Sequence, residues 1–471
     1  MHQPPRRLAP LHKYRVWLLF LAIMLIGWIF LAIRSRSSPG ISQESGPVPS
    51  VATLFPAQSD RILRLTVREP GLYRLLAQDL RKNGLTITDP LDLRLYHLGT
   101  PQSLWYSGEG DNLSLYFYGT PLNTAYTIEN VYFLATKDPP IPTSIHIPQP
   151  PAVFPPPLRL EENLLYIPKT EPGQTWFWKN LTAPKTESIE FNLSVVGTEE
   201  AMLRVALYAN TEAATINPDH HLRVSLNGLL LADQTWDGRG SQLIEHPIPA
   251  NTLRKGNNVL TIDLPGDTGA IVETILLDWV EIALPPSLSA EQGRVNFLGT
   301  GSMLSLTGFR TPPMIFDLSQ VGDGTPAAAS LPESLQIPTE SGHHYLAVAP
   351  DGFLTPHSIT AVQLSPDLRA AQASYIAIGP PDLLGPLKPL QAHREAQGMT
   401  VLSVPVNTVY DQFGGGVAHP EAIRHFLQYA YANWDTPPQY VLLVGDSTYD
   451  PRGYQSPPEA NRIPSFFRFT F

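Results

Sequence analysis

The 471 residues allow about three domains of ordinary size. At 43% hydrophobic and 16% charged, most of the chain can bury cores, which excludes a disordered tail and a polytopic membrane protein. A net charge of −10 leaves no basic footprint for phosphates and excludes nucleic acid as a main partner, and the absence of cysteine removes disulfides, thiolate metal ligands and a thiol nucleophile from these residues.

Val16 to Ile33 ("VWLLFLAIMLIGWIFLAI") is an uncharged apolar run of 18 residues, long enough to cross a bilayer as a helix. Arg6, Arg7, Lys13 and Arg15 precede it, against Arg34 and Arg36 after it, which orients the N-terminus to the cytoplasm and the bulk outside. "RSRSS" is a poor cleavage site, so residues 1–36 read as a retained signal anchor in preference to a removed leader. Residues 37–58 are a Pro/Ser/Gly linker.

Residues 59–137 read as a β-rich domain. "RILRLTV" alternates Leu63, Leu65 and Val67 against Ile62, Arg64 and Thr66, and "LDLRLYHLG" places Leu91, Leu93 and Leu95 on one face. "GLYRLLAQDLRKNG" reads as one short amphipathic helix closed by Gly84, and "GEGD" at 108–111 as a hairpin turn. Residues 138–160 are a stiff linker, with nine prolines in positions 138–157. Residues 161–285 alternate strands with Asn-Gly and Lys-Gly-Asn-Asn turns, which suits a jelly-roll β-sandwich and leaves room for a glycan ligand. His220 and His221 read as a strand-edge pair, since adjacent strand residues point to opposite faces and cannot ligate one metal together. Residues 286–370 read as further connecting β structure.

From residue 371 the texture changes. "YIAIG", "TVLSVPV" and "YVLLVGD" are apolar strands, separated by the helices "PLKPLQAHREAQG" and "HPEAIRHFLQYAYANW". The second helix carries a stripe of Ile423, Phe426, Leu427, Ala430, Tyr431 and Trp434, and "FGGGV" at 413–417 is a mobile or tightly turning loop before it. Strand–helix–strand–helix–strand implies a parallel sheet whose ligand-facing edge lies at the carboxyl ends of the strands. Gly445, Asp446 and Asp450 sit at such an end and are the candidate active-site wall, while the bland alternative gives Asp446 the job of capping a turn. Asp411 is a further nearby carboxylate. Two carboxylates admit calcium, but no regular ligand spacing calls for it, and no cofactor or metal ligand set is expected. His393, His419 and His425 are helix or cap residues without a nucleophile beside them.

The stretch from "YIAIGPPDLLGPLKPLQAHREAQG" through "VYDQFGGG" and "HPEAIRHFL" to "YVLLVGD" closely resembles the opening half of the gingipain-type cysteine peptidase domain. Upstream, "VREPGLYRLLAQDL" and "HLRVSLNGLLLADQTWDG" resemble the β-rich N-terminal regions of large bacterial members. The resemblance implies a caspase-like α/β fold over residues 371–471 and extracytoplasmic cleavage of peptides by a Cys–His dyad. The family's G-H-G histidine and its cysteine lie on later strands, so no catalytic residue transfers to this sequence. The expectation is therefore an N-terminal portion of a peptidase that is inactive alone, with a non-enzymatic, glycan-binding surface protein as the other reading.

Overall fold

The computed structural model describes residues 62–136, 157–168, 175–194, 196, 199–285, 287–319, 327–328, 335–362, 366–455, 457 and 461–467. The run Val16–Ile33 lies outside them. Among the described residues no helix is long and apolar enough to cross a membrane.

The first region holds β1 (Leu63–Val67), β2 (Gly71–Leu76), the short helix α1 (Ala77–Lys82), β3 (Leu93–His97), β4 (Thr100–Gln102), β5 (Trp105–Ser107), β6 (Ser114–Gly119) and β7 (Asn130–Thr136). The stretch expected as one helix is therefore strand for its first half. "GLYRLL" fits both periods, and its backbone is claimed by β6, with Gly71 opposite Gly119 and Leu75 opposite Leu115. "GEGD" is the hairpin turn expected, joining β5 to β6, with left-handed backbone at Gly108 and Gly110. Leu91 is 51% exposed, because it sits in a 3-10 turn ahead of β3 and not on the strand face.

The middle region holds β8 (Leu158–Leu160), β9 (Leu165–Tyr166), β10 (Trp176–Phe177), β11 (Lys179–Thr182), β12 (Lys185–Leu193), β13 (Ala201–Ala209), β14 (His220–Leu226), β15 (Leu229–Trp236), β16 (Gly240–Ile248), β17 (Gly256–Leu264) and β18 (Thr274–Ala283). Two antiparallel sheets form here. One has the order β11-β18-β13-β16 with β8 added on β18, and the other has the order β12-β17-β14-β15. Alternate residues of both, among them Ile189, Leu203, Leu222, Leu260 and Ile275, share one buried core, which defines a β-sandwich. The β14–β15 hairpin turns on Asn227–Gly228, both left-handed, as an Asn-Gly pair requires. β14 lies inside its sheet, but β17 pairs with it only over Arg223–Leu226, so His220 and His221 extend past β17 with β15 as their strand partner, and His220 is fully buried against the Trp236 ring at 5.2 Å.

Beyond the sandwich come β19 (Arg294–Leu298), β20 (Met303–Leu306), β21 (Met314–Asp317), β22 (Ala327–Ala328), β23 (Leu335–Pro338), β24 (His344–Val348) and β25 (Ser358–Ala361). They make a sheet β19-β24-β21-β22 and a ribbon β20-β23. β25 instead runs back to the start of the chain and pairs with β1, giving the order β25-β1-β7-β3-β4. That sheet packs through Leu63, Leu65 and Tyr132 onto Leu75, Leu115 and Phe117 of the sheet β2-β6-β5.

The last region contains β26 (Tyr375–Gly379), α2 (Pro381–Leu384), α3 (Lys388–Ala396), β27 (Val401–Pro405), α4 (Val406–Phe413), α5 (Pro420–Asn433) and β28 (Tyr440–Leu443). The three strands are parallel in the order β27-β26-β28, as the alternating pattern implies. Helix α4 was not expected. Val406, Val409, Tyr410 and Phe413 have helical spacing, and all four bury with Ile376, Ile378 and Val404 under the helices. The α5 stripe is Ile423, Phe426, Ala430 and Trp434, with Leu427 and Tyr429 partly buried beside it. Tyr431 leaves the stripe and is 69% exposed, since the core claims only the narrower face.

Candidate active site

The carboxyl ends of β26 and β28 approach closely. A Cβ on Gly379 would fall 2.8 Å from the Val444 Cβ, and Val444 N–H donates to the Ile378 carbonyl at 2.8 Å. Glycine at 379 is what lets the chain leave β28 across the end of β26. Gly445 follows with φ of 129°, and a Cβ there would meet the Arg462 Cβ at 2.8 Å.

Asp446 comes next and its side chain is exposed. Its backbone carbonyl accepts from the amides of Arg462 (2.9 Å) and Ile463 (3.1 Å), so the returning chain is held there and Ile463 plugs the core. Arg462 also pairs with Asp382 in α2. The turn-closing task goes to Asp450. It is fully buried, and its carboxylate accepts from the amides of Tyr454 (2.8 Å) and Gln455 (2.6 Å). With both oxygens on backbone donors, Asp450 is a scaffold for the loop, whereas Asp446 presents its carboxylate to solvent.

The loop between them is anchored on two other regions. The Tyr449 ring lies 4.6 Å from Tyr166, and Tyr454 meets Trp176 edge-on at 5.0 Å. Gln455 donates to the Leu164 carbonyl at 2.9 Å, and Arg452 to Asn123 at 3.0 Å. Burial, eased by Arg452, pushes the Tyr454 phenol up to about 12, so it stays a protonated donor. A small cavity of about 190 Å³ lies here, between Asn163, Trp176, Asp278, Tyr449 and Tyr454.

Asp411, the further carboxylate nearby in sequence, is buried in α4 and pairs with Arg64 of β1. Burial lowers the Arg64 guanidinium from its ordinary value, against the opposing charge of Glu129. The glycine triplet forms a tightly packed turn. All three residues are buried, and a Cβ on Gly416 would lie 2.6 Å from Val131 Cγ1 and 2.9 Å from Phe133 Cζ. His419 is the N-cap of α5, its Nδ1 accepting from the Glu421 amide at 3.1 Å, with Tyr126 edge-on at 4.6 Å. Burial, with help from His425 and Arg424, lowers it to about 4. His393 and His425 lie within α3 and α5.

Among the described residues no group of three or more His, Asp or Glu side chains is arranged to hold a metal ion. In the sandwich His221 is bracketed by Asp267 and Asp233, each 2.6 Å from a ring nitrogen, which stabilises the imidazolium as an ion-paired element of the strand. The aromatic anchor around Trp176 and the Arg64–Asp411 pair join residues hundreds of positions apart, and no local pattern marks them.

A parallel sheet with glycine and aspartate at its carboxyl edge, standing on a large β scaffold, defines an α/β domain. Residues 369–470 match the model of peptidase family C25, which fits the gingipain-type resemblance of that stretch. The chain is similar to dimeric latent PorU from Porphyromonas gingivalis at 18% identity and a TM-score of 0.62, over 87% of this chain and 44% of that one. At that identity the likeness shows a shared fold, and the chain spans less than half of that protein's length. A family 35 carbohydrate binding module from an environmental isolate is matched at 13% identity and a TM-score of 0.20, over 27% of this chain and 89% of the module, too weakly to carry an argument. No curated protein matches.

Proposed function

We propose that the chain is the N-terminal portion of a membrane-anchored, extracytoplasmic gingipain-like cysteine peptidase, and that its own residues build a wall of the active site without performing the chemistry. The observation that carries this reading is the family match over residues 369–470. In such a site a thiolate attacks the scissile carbonyl and a histidine carries the proton to the leaving amine. The chain has no cysteine to supply the thiolate, and His419 is committed to capping α5. Gly445 and Asp446 would border the peptide substrate and Asp450 would hold the loop, within a caspase-like arrangement of strands. The apolar run Val16–Ile33 would tether the protein, with the jelly-roll sandwich outside the membrane.

The absence of cysteine also favours a second reading, a non-enzymatic surface protein whose sandwich binds glycan. Sequencing the transcript past the codon for Phe471 separates the two. A G-H-G motif and a cysteine downstream, in any frame, support the peptidase; unrelated sequence there overturns it.

A further inference from the structure

Where the sandwich leads into β19, the chain walls a cavity of about 380 Å³ against the first β region. This lies within the ~300–1,000 Å³ usual for small-molecule sites, which the cavity beside Trp176 does not reach. Pro70, Leu284, Val295 and Leu346 supply an apolar wall, and Arg294 is the one cation among the lining residues.

Arg294 is the unusual member. It is partly buried at the first position of β19, with Nη1 3.4 Å from where a Cβ on Gly71 would stand. Its guanidinium has no hydrogen-bond, ion-pair or ring partner among the described residues, although Arg64, Arg68, Arg81, Arg159, Arg204 and Arg223 all pair with carboxylates. Its donors are not sealed from solvent and so remain open to an anion entering the cavity. Glu291 lines the same cavity but is engaged by the Ser194 hydroxyl at 2.9 Å, while Arg294 and Glu291 meet only through their backbones. Ser289, Asn296 and Tyr118 add neutral polar groups to the lining.

We propose that this cavity binds a small monocarboxylate with an apolar body, its carboxylate on the Arg294 fork and its hydrocarbon part against Pro70, Val295 and Leu346. The planar guanidinium matches a carboxylate through two parallel hydrogen bonds. A single cation with Glu291 nearby disfavours a dianion such as phosphate. Two sources share the chemistry: a free short branched acid and the C-terminal carboxylate of a peptide. The site is remote in sequence from Asp446, and the inference does not depend on the peptidase reading.

The test is calorimetric titration of the purified 471-residue chain with N-acetyl-L-leucine, N-acetyl-L-leucinamide and 4-methylpentanoate. Saturable binding of at least one acid, with the amide weaker by on the order of tenfold or more, is expected from a charge-assisted pair. Arg294→Gln should weaken acid binding by a similar factor, and Arg294→Lys by less, since charge remains while the fork is lost. Tighter binding of N-acetyl-L-leucine assigns a peptide end, and tighter binding of 4-methylpentanoate a free acid. Acid and amide binding alike, no binding of either acid, or a folded Arg294→Gln chain that binds as the wild type would overturn the proposal. If that variant does not fold, the acid-to-amide comparison on the wild type decides.

Discussion

Arg64 in β1 and Asp411 in α4 form an ion pair across 347 positions of sequence, with only 21% and 9% of their side chains exposed. The pair ties the α/β region to the first β sheet at the point where that sheet's outer face, Tyr96, Val131 and Phe133, receives Val417. The site-bearing segment therefore stands on its β scaffold through a charged clamp and an apolar contact side by side. Asp411→Asn should destabilise the protein by about 3 kcal/mol, because Arg64 is left buried without its partner. Replacing both, as Arg64→Met with Asp411→Leu, should recover most of the loss. Urea unfolding of the single and double variants measures this, and a harmless Asp411→Asn would show the clamp to be idle.

Gly416 should tolerate no side chain. Its φ of 83° and the 2.6 Å separation a Cβ would have from Val131 Cγ1 combine backbone strain with overpacking. Gly416→Ala is expected to cost about 2–4 kcal/mol. Gly238, with the same φ of 83° but nothing within 4 Å, should cost only about 1 kcal/mol on the same substitution. Comparing the two denaturation midpoints separates strain from crowding.

The His419 cap makes the α/β region sensitive to acid. Its folded value of about 4 lies below the ordinary 6.5, so the neutral ring is favoured in the fold. Its stabilising contribution is complete above pH 6.5 and is lost as the pH falls towards 4. His425, also lowered by burial, acts with the same sign. His419→Asn keeps a capping acceptor but cannot titrate, so stability measured from pH 7.5 to 4.5 should fall less steeply than in the wild type. Equal slopes would contradict the assignment.

Asp450 and Asp446 should separate cleanly by stability. Asp450→Ala strands the Tyr454 and Gln455 amides and should cost about 2–3 kcal/mol, with faster hydrogen exchange at both. Asp446→Ala, at an exposed side chain, should stay within about 0.5 kcal/mol of the wild type. A large cost at Asp446 would mean that its carboxylate holds structure after all.

Much of the architecture was legible because the relevant signals are local. Period-two alternation marked β1, and a turn pair marked the β14–β15 hairpin. Apolar strands alternating with helices gave the parallel sheet and placed Gly445 and Asp446 at its carboxyl edge. What escaped was of two kinds. One was a signal present but unused: the spacing of Val406, Val409, Tyr410 and Phe413 is helical, while the stretch around it reads as a strand end and a glycine loop. The other has no local signal. The return of β25 to β1, the docking of the glycine turn on Val131 and Phe133, the burial of Asp450 and the isolation of Arg294 are products of long-range packing. "GLYRLL" was decided by its partner strand and not by its own preference.

The central claim is that residues 371–471 shape a peptidase site without supplying its nucleophile or its proton carrier. Incubation of the purified chain with a peptide library, read by mass spectrometry, tests it most directly. The account predicts no turnover by the wild type and none by Asp446→Asn. Cleavage by the wild type that Asp446→Asn abolishes would make that carboxylate a catalytic group and contradict the account.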